Sequence, residues 1–140
     1  MGHTPFGHSG ELILNGIHKG GFKHNVQSLR VVDVIESSES RDGMNLTMEV
    51  RDGIVNHTGD TLPMTLEGQI VRISDRVAYI NHDIDDALRS GVIEFDDLPK
   101  EAIARLGKKR KERIGNMINN LIKTSDREGK ITELARIMGG

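Results

Sequence analysis

Apolar positions recur at intervals of three and four along most of this chain, the spacing of one face of an α-helix. Between 23 and 37, Val26, Leu29, Val32 and Ile35 come at intervals of three and predict a first helix. The polar stretch 37–43 reads as a connection. Leu46, Val50, Ile54 and Val55 predict a second amphipathic helix over 44–57, so that 23–57 holds two helices, and Thr58-Gly-Asp-Thr-Leu-Pro63 breaks the pattern. The strongest signal runs over 66–90. There Leu66, Ile70, Ile73, Val77, Ile80, Ile84 and Leu88 form one continuous stripe, with Thr65 placed as an N-cap and Gly91 where a helix end favours glycine. C-terminal helices fill 97–140. A turn at Asp97-Leu98-Pro99 leads into a helix to 106, and a longer helix over 108–124 is expected to bury Ile114, Met117, Ile118, Leu121 and Ile122. A short amphipathic tail over 131–138 follows. No strand alternation and no repeat appears, so the expected fold class is all-α, in a single domain.

Residues 1–22 stand apart, because Gly and Pro predominate and the histidines concentrate there. His3, His8, His18 and His24 are four of the six histidines in the chain. An imidazole can donate, accept or ligate near neutral pH, and glycines let the backbone approach a bound anion. The segment is therefore expected to be a loop carrying His3, His8 and Glu11. These residue types leave two readings open: a catalytic or phosphate-binding loop, or an incidental terminal segment.

A second polar constellation lies opposite the long apolar stripe. Asp75, Tyr79, His82 and Asp86 share that side of the 66–90 helix, with Asp83 and Arg72 at its edges. Such a face is usually solvated. Lys and Glu, which ordinarily fill solvated faces, are absent from 73 to 88, whereas an Asp on a rigid helix suits a divalent cation and a Tyr can pack on a sugar or base.

Composition narrows the classes. At 140 residues with net charge −2, nothing global draws the chain to nucleic acid or membrane. Without cysteine there is no disulfide framework and no thiolate chemistry. No apolar run approaches the roughly 20 residues that span a bilayer. A cytoplasmic protein with no membrane partner is expected. The run Lys108-Lys-Arg-Lys-Glu-Arg113 could bind phosphates or single-stranded nucleic acid, or simply be the solvated start of a helix. The sequons Asn45-Leu-Thr47 and Asn56-His-Thr58 are read as chance matches.

Three segments in order carry a resemblance. They are Gly2-His-Thr-Pro-Phe-Gly-His8-Ser-Gly-Glu11, Phe22-Lys-His-Asn-Val-Gln-Ser-Leu-Arg30, and Glu67-Gly-Gln-Ile-Val-Arg-Ile-Ser-Asp75-Arg-Val-Ala-Tyr79-Ile-Asn-His-Asp83-Ile-Asp-Asp-Ala87. They resemble successive motifs of the HD-domain deoxynucleoside triphosphate triphosphohydrolases, the dGTPase-like family. The resemblance implies a partial HD-domain-like helical bundle. It implies hydrolysis of a dNTP such as dGTP at the α-phosphorus to a deoxynucleoside and triphosphate. It implies a divalent metal, Mg2+ or Mn2+, and a homo-oligomer. By the same resemblance His8 and Glu11 match the catalytic pair, His3 and His24 match phosphate contacts, Tyr79 and Asp83 match sugar-facing residues, and Asp75 matches one metal ligand.

The family's other metal ligands are an upstream His and an adjacent His-Asp pair that precedes the first motif by one apolar residue. Met1 takes that apolar position, so three of the four ligands have no counterpart here and an incomplete metal site is expected. At the other end, Ile137-Met-Gly-Gly140 stops where the family continues with helices. Activity of the chain alone is left open on these grounds. The alternatives are a non-catalytic module binding nucleotide or nucleic acid, and another HD-superfamily phosphohydrolase.

Overall fold

A computed structural model describes residues 5–131, and among these the chain forms helices and no strand. The helices are α1 (Gly7–Ile17), α2 (His24–Arg30), α3 (Met48–Asn56), α4 (Leu66–Arg89), α5 (Lys100–Leu106) and α6 (Arg110–Glu128). The all-α class expected from the apolar spacing is the class observed. His3 and the 132–138 part of the expected tail lie outside the described residues.

α1 occupies ground expected to be a loop. Gly10 explains how: its N–H bonds the Phe6 carbonyl at 3.2 Å, and a Cβ there would collide with the Pro5 carbonyl. The glycines that suggest a loop are thus what lets the chain turn tightly into a helix through Phe6 and Gly7, both at positive φ. Leu12, Ile13 and Leu14 then sustain the helix until the His18 N–H closes on the Leu14 carbonyl at 2.9 Å.

α2 ends in a widened π-turn over Val31–Ile35. The turn frees the Val32 carbonyl to accept the Met44 N–H at 2.7 Å. Gly43, at φ 66, permits this approach, since a Cβ would strike the Asp33 carbonyl. Arg51 of α3 grips the Asp33 carboxylate through Nε and Nη2 at 3.0 and 2.8 Å, which ties α3 to the end of α2. α3 starts at Met48 rather than 44 because Asn45 sits at φ 50, outside the helical region.

The chain divides into two compact units, Met1–Arg72 and Ile73–Gly140, with the division inside α4. In the first unit Val32 is the buried apolar centre, and Gly53 of α3 lies against Gly68 of α4. The Arg72 guanidinium, nearly buried, collects the carbonyls of Asn56 at 2.9 Å, Thr61 at 3.0 Å and Gly59. That one side chain closes the turn after α3.

In the second unit Ile73, Val77, Leu106 and Met117 form the core, with Ile80, Leu121 and Ile131 packed on it. Two expectations need correction. Ile118 and Ile122 are exposed, because α6 buries a narrow i, i+4 row, Arg113 and Met117, which turns its neighbours outward. Leu66 and Ile70, the first two positions of the predicted stripe, are exposed as well. Further along α4, within the second unit, Asn81 is fully buried, its Nδ2 donating to the Val77 carbonyl at 2.8 Å and its Oδ1 accepting from Arg113 Nε at 3.1 Å. Arg113 also reaches Asp85 at 2.6 Å, and Arg110 shares that carboxylate at 3.3 Å. Two of the five cations in the 108–113 run are therefore committed inside this unit.

Candidate active site

In the first unit three histidines and a carboxylate converge from three helices. His24 opens α2, and Glu11 of α1 accepts both its backbone N–H and its ring Nδ1, each at 2.8 Å. One carboxylate thereby caps a helix start and fixes an imidazole. His57, the residue that closes α3, places its Nε2 at 3.1 Å from His24 Nε2 and its Nδ1 at 2.7 Å from the Ile54 carbonyl. His8, one turn before Glu11 on α1, stands edge-on to His24 with ring centroids 6.3 Å apart.

Burial alone would raise the Glu11 carboxyl. The hydrogen bonds from the His24 backbone and ring, and the charges of His24 and His8, outweigh that burial and hold it below the usual glutamate range. The carboxylate is therefore ionised at neutral pH.

An open depression of about 270 Å³ adjoins this cluster, lined by His8, Glu11, Leu12, Asn15, Phe22 and Lys23. Asn15 shapes it by accepting the Phe22 N–H at 2.8 Å, which folds the Gly20-Gly21 turn back on α1. An exposed imidazole, a fixed carboxylate and an ammonium around one hollow can bind an anion and exchange a proton with it.

In the second unit Tyr79 and Asp83 lie one turn apart on α4. The Tyr79 hydroxyl donates to Asp83, and this bond, the Asp83 charge and slight burial raise the phenol above its ordinary value. Asp75 is exposed on the same helix. His82 accepts from Arg110 Nη2 at 3.0 Å, and Asp86 pairs with Arg89 at 2.7 Å. Among the described residues no three His, Asp or Glu side chains gather as a cation site. No helix among them is long and apolar enough to cross a membrane.

The structure thus brings His8, Glu11 and His24 together in one unit, and Tyr79 and Asp83 together in the other. Sequence reasoning overlooked His57 and Lys23. Lys23 sits beside a motif histidine and passed unremarked. In the sequence His57 stands in the middle of a glycosylation sequon, though a histidine at a predicted helix end is a signal in its own right.

No protein-family model matches the chain. Curated relatives do. A deoxyguanosinetriphosphate triphosphohydrolase-like protein of Caldanaerobacter subterraneus subsp. tengcongensis is 57% identical over 125 residues, covering 89% of this chain and 36% of that protein. Proteins of the same name from Clostridium perfringens and Desulfatibacillum aliphaticivorans are 48% and 41% identical, covering 87% and 94% of this chain and 36% and 40% of themselves. The chain spans between about a third and two-fifths of the length of these relatives. By this similarity it belongs to the deoxyguanosinetriphosphate triphosphohydrolase-like family.

Proposed function

We propose that this chain carries part of the substrate site of a dNTP triphosphohydrolase, with dGTP as the first substrate to test. The observation that supports it most is the His8–Glu11–His24 cluster beside an open, Lys23-rimmed hollow, on residues that match the family's motifs. His8 and Glu11 act at the α-phosphate, where the imidazole supplies or takes a proton and the carboxylate holds the local charge. Lys23, and His3 by its motif match, serve the phosphate oxygens, whose negative charge grows as phosphorus is attacked. His24, with Glu11 at Nδ1 and His57 at Nε2, holds the Glu11 carboxylate in place rather than meeting phosphate itself. Tyr79 and Asp83, which stand in the second unit, match the family's sugar-facing residues. The reaction joins the oxygen of water to the α-phosphorus and breaks the bond from that phosphorus to the sugar's 5′-oxygen, which takes a proton and leaves as the deoxynucleoside while the added oxygen stays on the intact triphosphate.

Mg2+ or Mn2+ is the cofactor this reading implies, with Asp75 as one ligand. The described residues do not by themselves fit such an ion, because no second and third ligand stand beside Asp75.

The test is release of triphosphate and deoxyguanosine from dGTP with Mg2+ or Mn2+, the Caldanaerobacter subterraneus relative being assayed alongside. Release, and dGTP affinity by calorimetry, are expected to fall in His8→Ala and Glu11→Gln, turnover by at least about 100-fold. A chain that neither turns over nor binds dGTP, or whose binding ignores both substitutions, would overturn the proposal.

A further inference from the structure

His57 belongs to no motif that carries the resemblance, and its geometry constrains where protons can be. The Glu11 carboxylate can only accept, so His24 Nδ1, at 2.8 Å, carries a hydrogen. The Ile54 carbonyl can only accept, so His57 Nδ1, at 2.7 Å, carries one too. A neutral imidazole has a single N–H. Two neutral rings would then aim bare lone pairs at each other across the 3.1 Å between their Nε2 atoms. Two fully protonated rings would oppose N–H to N–H. One hydrogen between the two nitrogens removes both conflicts at an ordinary hydrogen-bond length.

We propose that His24 and His57 hold a single proton in common between their Nε2 atoms, which makes His57 a positioning residue for the His24–Glu11 pair. The proton belongs to the pair rather than to either ring. Among the described residues, Glu11 and His8 from α1 face the His24 ring, and the Ile54 carbonyl of α3 faces His57. Two further contacts fix the His57 side. Asn25 Nδ2 donates to the Val55 carbonyl at 2.6 Å, and Arg72 gathers the carbonyls on either side of His57.

The consequence for chemistry rests on the function proposed above. His24 is anchored at both ring nitrogens before any anion arrives, so its ring does not have to reorient at the moment of reaction. The hydrogen held between the two rings gives the pair one positive charge beside the Glu11 carboxylate, so that partner is in place before substrate binds.

The experiment uses the full chain, treated with EDTA and labelled with ¹⁵N histidine. Long-range ¹H–¹⁵N spectra should show both Nδ1 atoms protonated and a ¹⁵N–¹⁵N coupling across one hydrogen bond joining the two Nε2 atoms. In His57→Gln the amide N–H can still donate to His24 Nε2, so the His24 ring should keep its Nδ1–H form while the coupling moves to the glutamine amide. His57→Leu should shift the His24 nitrogens and lower triphosphate release roughly 10-fold, as loss of a supporting partner does elsewhere, and His57→Gln should restore most of it. An Nε2–H form for both rings, no coupling in the metal-free protein, or His24 signals indifferent to His57→Leu would overturn the proposal. Coupling without any turnover upholds the shared proton and overturns only the enzymatic reading.

Discussion

Glu11 shows how much a single side chain can carry in this molecule. Burial pushes its carboxyl up, yet the two hydrogen bonds to His24 and the nearby imidazole charges bring it below its ordinary value. A depressed folded-state carboxyl contributes stability above the ordinary carboxylate range, about pH 4, and loses it as pH falls through the folded value. Glu11→Gln is therefore expected to lower the urea midpoint more at pH 7 than near pH 3, where part of the contribution is already lost. An equal deficit at both pH values would refute the linkage. The residue was legible as a candidate base from its place after His8, but its partner was not. His24 lies 13 positions along the chain, and only the fold brings the two together.

Elements were easier to foresee than their ends and their faces. α4 and α6 stand close to where three-and-four spacing placed them, because long periodic stripes outweigh local exceptions. α1 was hidden, since Gly and Pro counts cannot distinguish a loop from a helix whose glycines absorb a close contact. The π-turn over Val31–Ile35 was hidden for a related reason: it depends on Gly43, eight positions past its end, lying against Val32 and Asp33. Gly43→Ala should cost at least about 1–3 kcal/mol for the left-handed backbone alone. Hydrogen exchange at the Met44 amide should accelerate with it, and an unchanged amide would show that the turn tolerates a Cβ. The loop after α3 depends in the same way on Arg72. Arg72→Met keeps the apolar stem but removes three hydrogen bonds from a charged donor, and about 2–3 kcal/mol of destabilisation is expected. The ¹⁵N signals of His57 should move as its turn loosens; signals that stay put would mean the turn holds without the guanidinium.

At the scale of the whole chain, each unit has a small apolar centre: among the described residues the second rests on Ile73, Val77, Leu106 and Met117. A body of some 70 residues buries a modest fraction of its surface and has little stability to spare. Met117 is 1% exposed, and its sulfur also lies 3.3 Å from Asn81 Nδ2. Met117→Ala should remove about 2–5 kcal/mol through lost burial and the cavity left behind. Tyr79 is the only tyrosine in a chain without tryptophan, and it stands on α4 within this unit, so its emission reports that unit's unfolding. The urea transition followed at Tyr79 is expected to shift far to lower denaturant in Met117→Ala. It should barely move in Ile118→Ala, since Ile118 is 44% exposed one position further along the same helix. Equal shifts for the two substitutions would mean that α6 presents a broader face to the core than this packing allows, with Ile118 and Ile122 part of it.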